Sequence, residues 1–453
     1  MTTTLIKAGH LLTMDDALGD IAGGEVLIED GAIKEVGRNL DAGATPETEV
    51  IAAADMIVMP GFVNAHMHTW QTGIRGVAGD WSLGDYMGHM HANLATRFTA
   101  EDLYLANLMG ALNQINCGVT ALFDWCHNNP TPGHTDRAID GLEEAGIRAL
   151  FAHGTPKPDV EKDGMPHSQI PHPEAEIKRL ATARLSNRDA LVTLGMAIRG
   201  PDISAWEVTE HDVRLAGEYD LIASAHMGGR PGGGMTQGGI GKLKDAGLLG
   251  PAYNVVHGCQ LTDDEFRMIG DAGATVTSCP EVEMQMGHGH PVTGRIIAAG
   301  GAPSLGVDIE SNISGDMFTV MRMALQHQRA ADNQKVIDTS KSPGKVSIPA
   351  LDALRWATIE GARAMGLGCR IGSLAPGKAA DLIMLRASDL NLYPVNNAAE
   401  TAIFQAGFGN VDTVMVGGAV LKRGGELVYL KLKEKKEALA ESGRRILKDA
   451  GLA

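Results

Sequence analysis

The chain is expected to fold as an α/β protein, a (β/α)8 TIM barrel beside a small β-sandwich domain built from both chain termini. Three observations predict this. Between residues 56 and 308, short runs rich in Val, Ile and Leu alternate with longer amphipathic segments, the pattern of βα units repeated around a buried parallel sheet. Eight such runs fit into roughly 250 residues, the size of a closed barrel. Outside them, residues 1–55 and 370–430 alternate apolar and polar positions between Gly turns, which suits strands with one wet face.

The elements follow in chain order. "HLLTMDD" and "GEVLIEDGAIKEVG" in residues 1–55 read as antiparallel strands, too few for a stable sheet, so they are expected to pair with "IGSLAPGKAADLIML" and "VDTVMVGGAVLKRGGEL" in residues 370–430 as one composite domain. The barrel is expected over residues 56–369. Its strands are "MIVMPGFVNAH" (56–66), "VTALFD" (119–124), "IRALFAH" (147–153), "ALVTLGMAI" (190–198), "LIASAH" (221–226), "YNVVH" (253–257), "ATVTS" (274–278) and "PSLGVD" (303–308). Thr99 and Thr262 sit at helix N-cap positions, Glu265 completes a capping box with Thr262, and Gly118, Gly146 and Gly273 follow helix ends. "PALDALRWATIEGARAMG" is a further helix, and the charged tail 431–453 is a surface or interface helix.

Bulk properties exclude several classes. With 453 residues, 44% of them hydrophobic, the chain can bury a large core. A net charge of -16 leaves no basic field for phosphates, so a nucleic-acid partner is not expected. Five scattered cysteines suit a reducing compartment better than a disulfide scaffold. The N-terminus "MTTTLIKAGHLLTMDD" has no apolar signal core, and no apolar run reaches bilayer length. The expectation is a cytoplasmic protein with a small-molecule substrate and no membrane partner.

In such barrels chemistry sits at the C-terminal ends of the strands. Here the first run ends in His66 and His68, the fifth in His226, the sixth in His257 and the eighth in Asp308. Residues i and i+2 of a strand face one way, so His66 and His68 can share a centre. Donors of this kind suit one divalent metal ion, Zn2+ or alternatively Fe2+, with a position left for water. Such a metal turns its water into a hydroxide nucleophile near neutral pH; Asp308 would take the proton and His257 would polarise the attacked group. A second His-x-His, His89 and His91, lies where this spacing does not converge and is expected to be peripheral.

"PGFVNAHMHTWQTGIRG", "SAHMGG", "VVHGCQLTDDE", "LGVD" and "IGSLAPGKAADLIML" resemble the amidohydrolase superfamily, in its cytosine deaminase and triazine hydrolase branch, over nearly the whole chain. The resemblance implies that His66, His68, His226 and Asp308 are metal ligands, that His257 is catalytic, that Gln71 lines the substrate pocket, and that the protein is a dimer or larger homo-oligomer. "ALVTLGMAI" offers no lysine or carboxylate to bridge a second metal. Two positions depart from the pattern: the glutamate that deaminases of this branch carry three residues after the strand-five histidine is Gly229, within "HMGGRPGGG", and the histidine after strand seven is Ser278.

A glycine transfers no proton, so another group is expected to supply it, with Glu281, Glu283, His288 and His290 as the candidates. His127 and His153, near the ends of strands two and three, are candidate pocket residues; His167 and His172, in a Pro-rich loop, are expected to be solvated. Most of the 21 methionines are read as core, with an adaptable apolar pocket as the minority reading. The function expected is a metal-dependent hydrolase that attacks an electrophilic carbon of a nitrogen heterocycle, displacing an amine or other leaving group. The alternatives are a cyclic amide hydrolase, an iron-dependent oxygenase and a non-catalytic relative of the fold.

Overall fold

The computed structural model describes residues 2–40, 47–156, 166–229 and 233–452. Arg230, Pro231 and Gly232 of the glycine-rich stretch lie outside the described residues. Strands β1 (Thr3–Leu12), β2 (Asp20–Ala22), β3 (Glu25–Glu29), β4 (Ala32–Gly37) and β5 (Glu49–Pro60) come first. Eight strands follow: β6 (Phe62–Met67), β7 (Val119–Cys126), β8 (Arg148–Gly154), β9 (Val192–Ile198), β10 (Ala223–Met227), β11 (Tyr253–His257), β12 (Thr275–Ser278) and β13 (Ser304–Leu305). The chain then adds β14 (Leu382–Arg386), β15 (Val411–Val416), β16 (Ala419–Arg423) and β17 (Glu426–Leu427).

Strands β6 to β13 lie side by side in chain order, each parallel to its neighbours. The last returns to the first: the Asp308 N–H donates to the His66 carbonyl at 2.9 Å, and the His68 N–H donates to the Asp308 carbonyl at 2.7 Å. Every residue of β7, β8 and β9 is buried, because side chains on one face fill the barrel and those on the other meet the helices. This is why the runs read as almost continuous apolar stretches. The expected capping of the intervening helices is present: Thr99 caps Ala100–Asn116, and Thr262 with Glu265 caps Asp263–Asp271.

Both termini build the other sheet, whose order is β17-β16-β15-β14-β5-β1-β3-β4 with β2 on β1. Two details differ from expectation. β1 and β5 pair in parallel, whereas β1, β3 and β4 run antiparallel in turn. The run 56–66 is divided: Met56–Pro60 pairs with β14 in this sheet, and only Phe62 onwards pairs with β7. Gly61 marks the crossing, since a Cβ there would lie 2.1 Å from Thr120 Cγ2. The continuous apolar pattern hides the division, because both halves are buried.

A buried ion pair ties the two sheets together. Arg148 of β8 donates to Asp381 through Nε at 2.7 Å and Nη2 at 3.0 Å. The C-terminal helix Leu432–Asp449 buries Leu439, Ser442, Gly443 and Ile446, and Ser442 Oγ donates to Asp102 Oδ1 at 2.5 Å on the helix Ala100–Asn116. No helix among the described residues is long and apolar enough to cross a membrane.

Candidate active site

Barrel closure gathers the polar strand ends. Gly306 lets the last strand approach the first, since a Cβ there would come within 2.8 Å of His66 Cβ. Asp308 Oδ1 then lies 3.3 Å from His66 Nε2 and 3.4 Å from His68 Nε2. From the far side His226 brings its Nε2 to 3.2 Å from His66 Nε2. One ligand atom from each of these four residues lies within 4.8 Å of the others. His257 and Asp308 hold left-handed backbone conformations, φ 72° and 71°, which cost non-glycine residues about 1–3 kcal/mol each and are common at functional sites.

Electrostatics favour a cation at this centre. His68 Nδ1 lies 2.7 Å from the Trp125 carbonyl, so it carries the ring proton and donates, which turns the bare Nε2 towards Asp308. Burial lowers His66 and His226 from the ordinary histidine value and takes His68 to about 3. Burial alone would raise the Asp308 carboxyl, but His66, His257 and His68 hold it well below the carboxylate range. Neutral imidazoles and an ionised carboxylate therefore point lone pairs at one another, an arrangement that fits a divalent metal ion.

His257 differs from these three. Its Nδ1 faces Glu283 Oε1 at 3.3 Å and its Nε2 faces Asp308 Oδ2 at 3.6 Å. Burial would lower its pKa, but these two carboxylates hold it above the ordinary value. Cys279 lies close to His257 and Asp308, yet burial pushes its thiol far above the usual range, which makes it a poor second-metal ligand.

A cavity of about 240 Å³ opens over this centre, with His68, His226, His257 and Asp308 among its lining residues. The expected pocket residues divide. His127 lines the cavity, its ring 4.3 Å from that of His68, and so does His288, 4.5 Å from the ring of His257. Gly229 also lines it, and a Cβ there would point at His288 Nδ1 at 3.3 Å.

The other candidates lie elsewhere. Gln71 is fully buried behind the wall, donating to the hydroxyl oxygen of Tyr86, and it is Tyr86 that faces the cavity. His153 shares the outward face of β8 with Phe151, by strand alternation, and pairs with His172 at 2.9 Å. Glu281 accepts from Ser314 outside the cavity. Glu283 is fully buried beneath His257, where it accepts from Ser278 Oγ at 2.8 Å and the Cys279 N–H at 2.7 Å. His290 faces away, paired with His327 at 3.1 Å in a separate groove.

Three readings of histidines need correction. His91 lines the cavity, because a π-helical turn over Met87–His91 brings its ring to 4.7 Å from that of His127. His167 lines it too. His172 is buried rather than solvated, held by His153 and Thr155.

Sequence reasoning also missed Trp125, Tyr86 and Arg199 in the cavity wall. A signal existed for Arg199, a cation placed directly after the apolar run of β9, where only a lysine or carboxylate was sought.

Comparison with known proteins agrees with this fold. A profile described as the amidohydrolase family matches residues 57–421. The chain is 28% identical to a 5-methylthioadenosine/S-adenosylhomocysteine deaminase of Pyrococcus furiosus, covering 95% of this chain and 97% of that protein. It is 29% identical to a 5'-deoxyadenosine deaminase of Methanothermobacter thermautotrophicus, covering 92% and 93%. Among solved structures, an adenosine deaminase from Xanthomonas campestris with bound zinc superposes with a TM-score of 0.84 at 24% identity, covering 99% of both chains. An atrazine chlorohydrolase from Arthrobacter aurescens complexed with zinc also gives 0.84, at 19% identity, covering 97% and 100%. At these identities the two structures share the fold.

Proposed function

The chain belongs to the amidohydrolase family, and on that premise we propose that it hydrolyses an amino-substituted nitrogen heterocycle, releasing ammonia, with one zinc ion held by His66, His68, His226 and Asp308. The single observation that carries this reading is the convergence of those four lone-pair donors, within 4.8 Å of one another, at the floor of the cavity. Family membership makes the protein a hydrolase acting on carbon–nitrogen bonds, which sets aside the oxygenase and non-catalytic alternatives. The deaminase names of the relatives support the choice of leaving group.

When bound, zinc supplies Lewis-acid activation of water at neutral pH. The chain's own residues do the rest. Asp308 Oδ2 is placed to accept a proton from the attacking water and faces His257 Nε2, so a proton can be held between the two. Glu283 fixes the His257 ring through Nδ1, leaving Nε2 to donate to the charge that develops on the substrate. Glu283 itself is fixed by Ser278 and the Cys279 N–H, which accounts for the serine at that position. Trp125, Tyr86 and Met286 wall the cavity and exclude water from a flat ring.

The leaving amine needs a proton, and Gly229 has none to give. Of the four candidates only His288 lines the cavity, and it occupies the space into which a side chain at 229 would project. His288 is accordingly assigned the delivery of that proton.

The test is a screen of zinc-loaded protein on amino-substituted pyrimidines, purines, pterins and triazines, and on cyclic amides, with ammonia measured beside product mass. Metal-dependent ammonia release from a ring amine is the expected result. Ring opening of a cyclic amide without ammonia would establish the alternative hydrolase, and no metal-dependent turnover across the panel would overturn the reading.

A further inference from the structure

Asn64 lies on β6, two residues before His66, and is fully buried. Its Oδ1 accepts from the Val307 N–H across the barrel seam at 3.0 Å and from the His66 N–H at 3.4 Å. Two backbone donors fix the amide with its oxygen on that side, so Nδ2 faces the other way and donates to Gln114 Oε1 at 3.0 Å. Gln114 stands on the helix Ala100–Asn116 and is also fully buried; its Nε2 donates to Glu310 Oε1 at 3.2 Å and to the Gly315 carbonyl at 3.0 Å. The buried Glu310 carboxylate accepts further bonds from Asn113 at 2.8 Å, Thr72 at 3.0 Å and Arg75 Nε at 2.9 Å.

This chain of bonds grips the polypeptide on both sides of Asp308, at Val307 through Asn64 and at Glu310 through Gln114. Asp308, between them, holds its φ of 71°, a conformation that persists only where the surroundings over-determine it. Each side-chain nitrogen and oxygen of Asn64, Gln114 and Glu310 has a partner, and a fully satisfied buried network is rigid. Most of the buried face of the helix is apolar and would hold it to the barrel without these groups. What directional bonds add is a fixed geometry.

We propose that Asn64, Gln114 and Glu310 are positioning residues of the metal centre. Their hydrogen bonds keep Asp308 in its strained conformation and so set its spacing from His66 and His68. The proposal rests on the four-ligand reading above and deepens it, because it assigns part of the metal affinity to a helix that supplies no ligand.

The experiment follows two readouts in wild type, Gln114→Met, Glu310→Gln and Asp381→Ala: zinc release from the holoprotein to a chromophoric chelator, and the visible spectrum of the cobalt-substituted protein. Gln114→Met keeps the volume of the side chain but breaks the chain of bonds in its middle. Glu310→Gln is nearly isosteric, turns an N–H2 group towards Thr72 and Arg75, and decides the matter if Gln114→Met does not fold. Both are expected to hold zinc about 10- to 100-fold more weakly, the usual effect of losing a group that orients metal ligands, with a shifted cobalt spectrum. Asp381→Ala, which breaks the buried pair with Arg148 on another side of the barrel, should keep the wild-type affinity and spectrum.

Wild-type affinity and spectrum in the network variants would mean that the network serves the fold alone, and would overturn the proposal while leaving the metal reading intact. An equal loss in Asp381→Ala would overturn it too, since affinity would then follow overall stability. A wild type that takes up neither zinc nor cobalt overturns the metal reading, and the proposal with it.

Discussion

Asp308 meets His66 twice: its backbone N–H donates to the His66 carbonyl at 2.9 Å, and its carboxylate Oδ1 lies 3.3 Å from His66 Nε2. The hydrogen bonds that close the barrel thus set the distance between two residues of the candidate metal site. Fold and site are coupled at this seam, and substitutions there should report on both.

Removing a donor from the centre should remove the metal. For Asp308→Ala and His66→Ala, elemental analysis of purified protein is expected to show zinc well below one ion per chain. Turnover should fall by about 10³-fold or more, since Lewis-acid activation is worth several kcal/mol. Full metal occupancy in both variants would contradict the assignment.

Gly306→Ala should disturb the seam without removing any polar side chain. The new Cβ would sit 2.8 Å from His66 Cβ, 2.9 Å from its carbonyl oxygen and 3.0 Å from Cys279 Sγ, so the last strand must move away. A loss of about 1–3 kcal/mol in stability is expected from the overpacking, together with weaker zinc retention during dialysis against a chelator.

His288→Ala should slow turnover by about 10²- to 10⁴-fold, the usual contribution of a general acid, while zinc content stays at the wild-type level. Glu281→Gln and His290→Ala, at positions outside the cavity, should change kcat/KM by much less. Equal effects from all three would remove the reason for singling out His288.

The Arg148–Asp381 pair is buried, and Asp381 also accepts from the Gly417 N–H at 2.7 Å. Asp381→Ala leaves a buried guanidinium without its partner, so urea unfolding should show a loss of about 3–5 kcal/mol. The zinc content of the protein that remains folded should be unaffected, because this junction lies between β8 and the outer sheet rather than at the barrel mouth.

Asp124 supplies a pH dependence of stability. It is fully buried, and burial raises its pKa from 3.8 to about 6, against the hydrogen bonds it accepts from the Thr69 N–H and Asn107. A folded value above the unfolded one means that this carboxyl stabilises the fold below about pH 4 and that the contribution is lost as pH rises through 6. The difference across that window is about 3 kcal/mol. Asp124→Asn should flatten it: Asn107 can rotate its amide to accept from the new one, its Oδ1 being without a partner among the described residues. Denaturation of both proteins at pH 4 and pH 8 checks this, and parallel slopes would refute it.

Much of the architecture was legible in the chain because its signals are local. Strand ends, caps and the histidines of "NAHMH", "SAH" and "VVH" follow from period-two alternation and from the rule that polar groups gather where apolar strands stop. The place of Glu283 was not legible: it stands on a helix after β12, and only packing shows that it lies under His257 rather than in the cavity. His153 was misplaced for a related reason, since alternation fixes that neighbours point opposite ways but not which way is inward.

The sequence by itself determined the barrel, the two-ended β domain and the identity of the metal-type donors, because each depends on residue type and short-range spacing. Only the tertiary structure decided which side chains share the cavity: that His288 fills the space beside Gly229, and that Gln71 is buried behind Tyr86, which takes the place in the wall. Those relations join residues far apart in the chain, and their distances are set by how eight strands close on themselves, which no local pattern encodes.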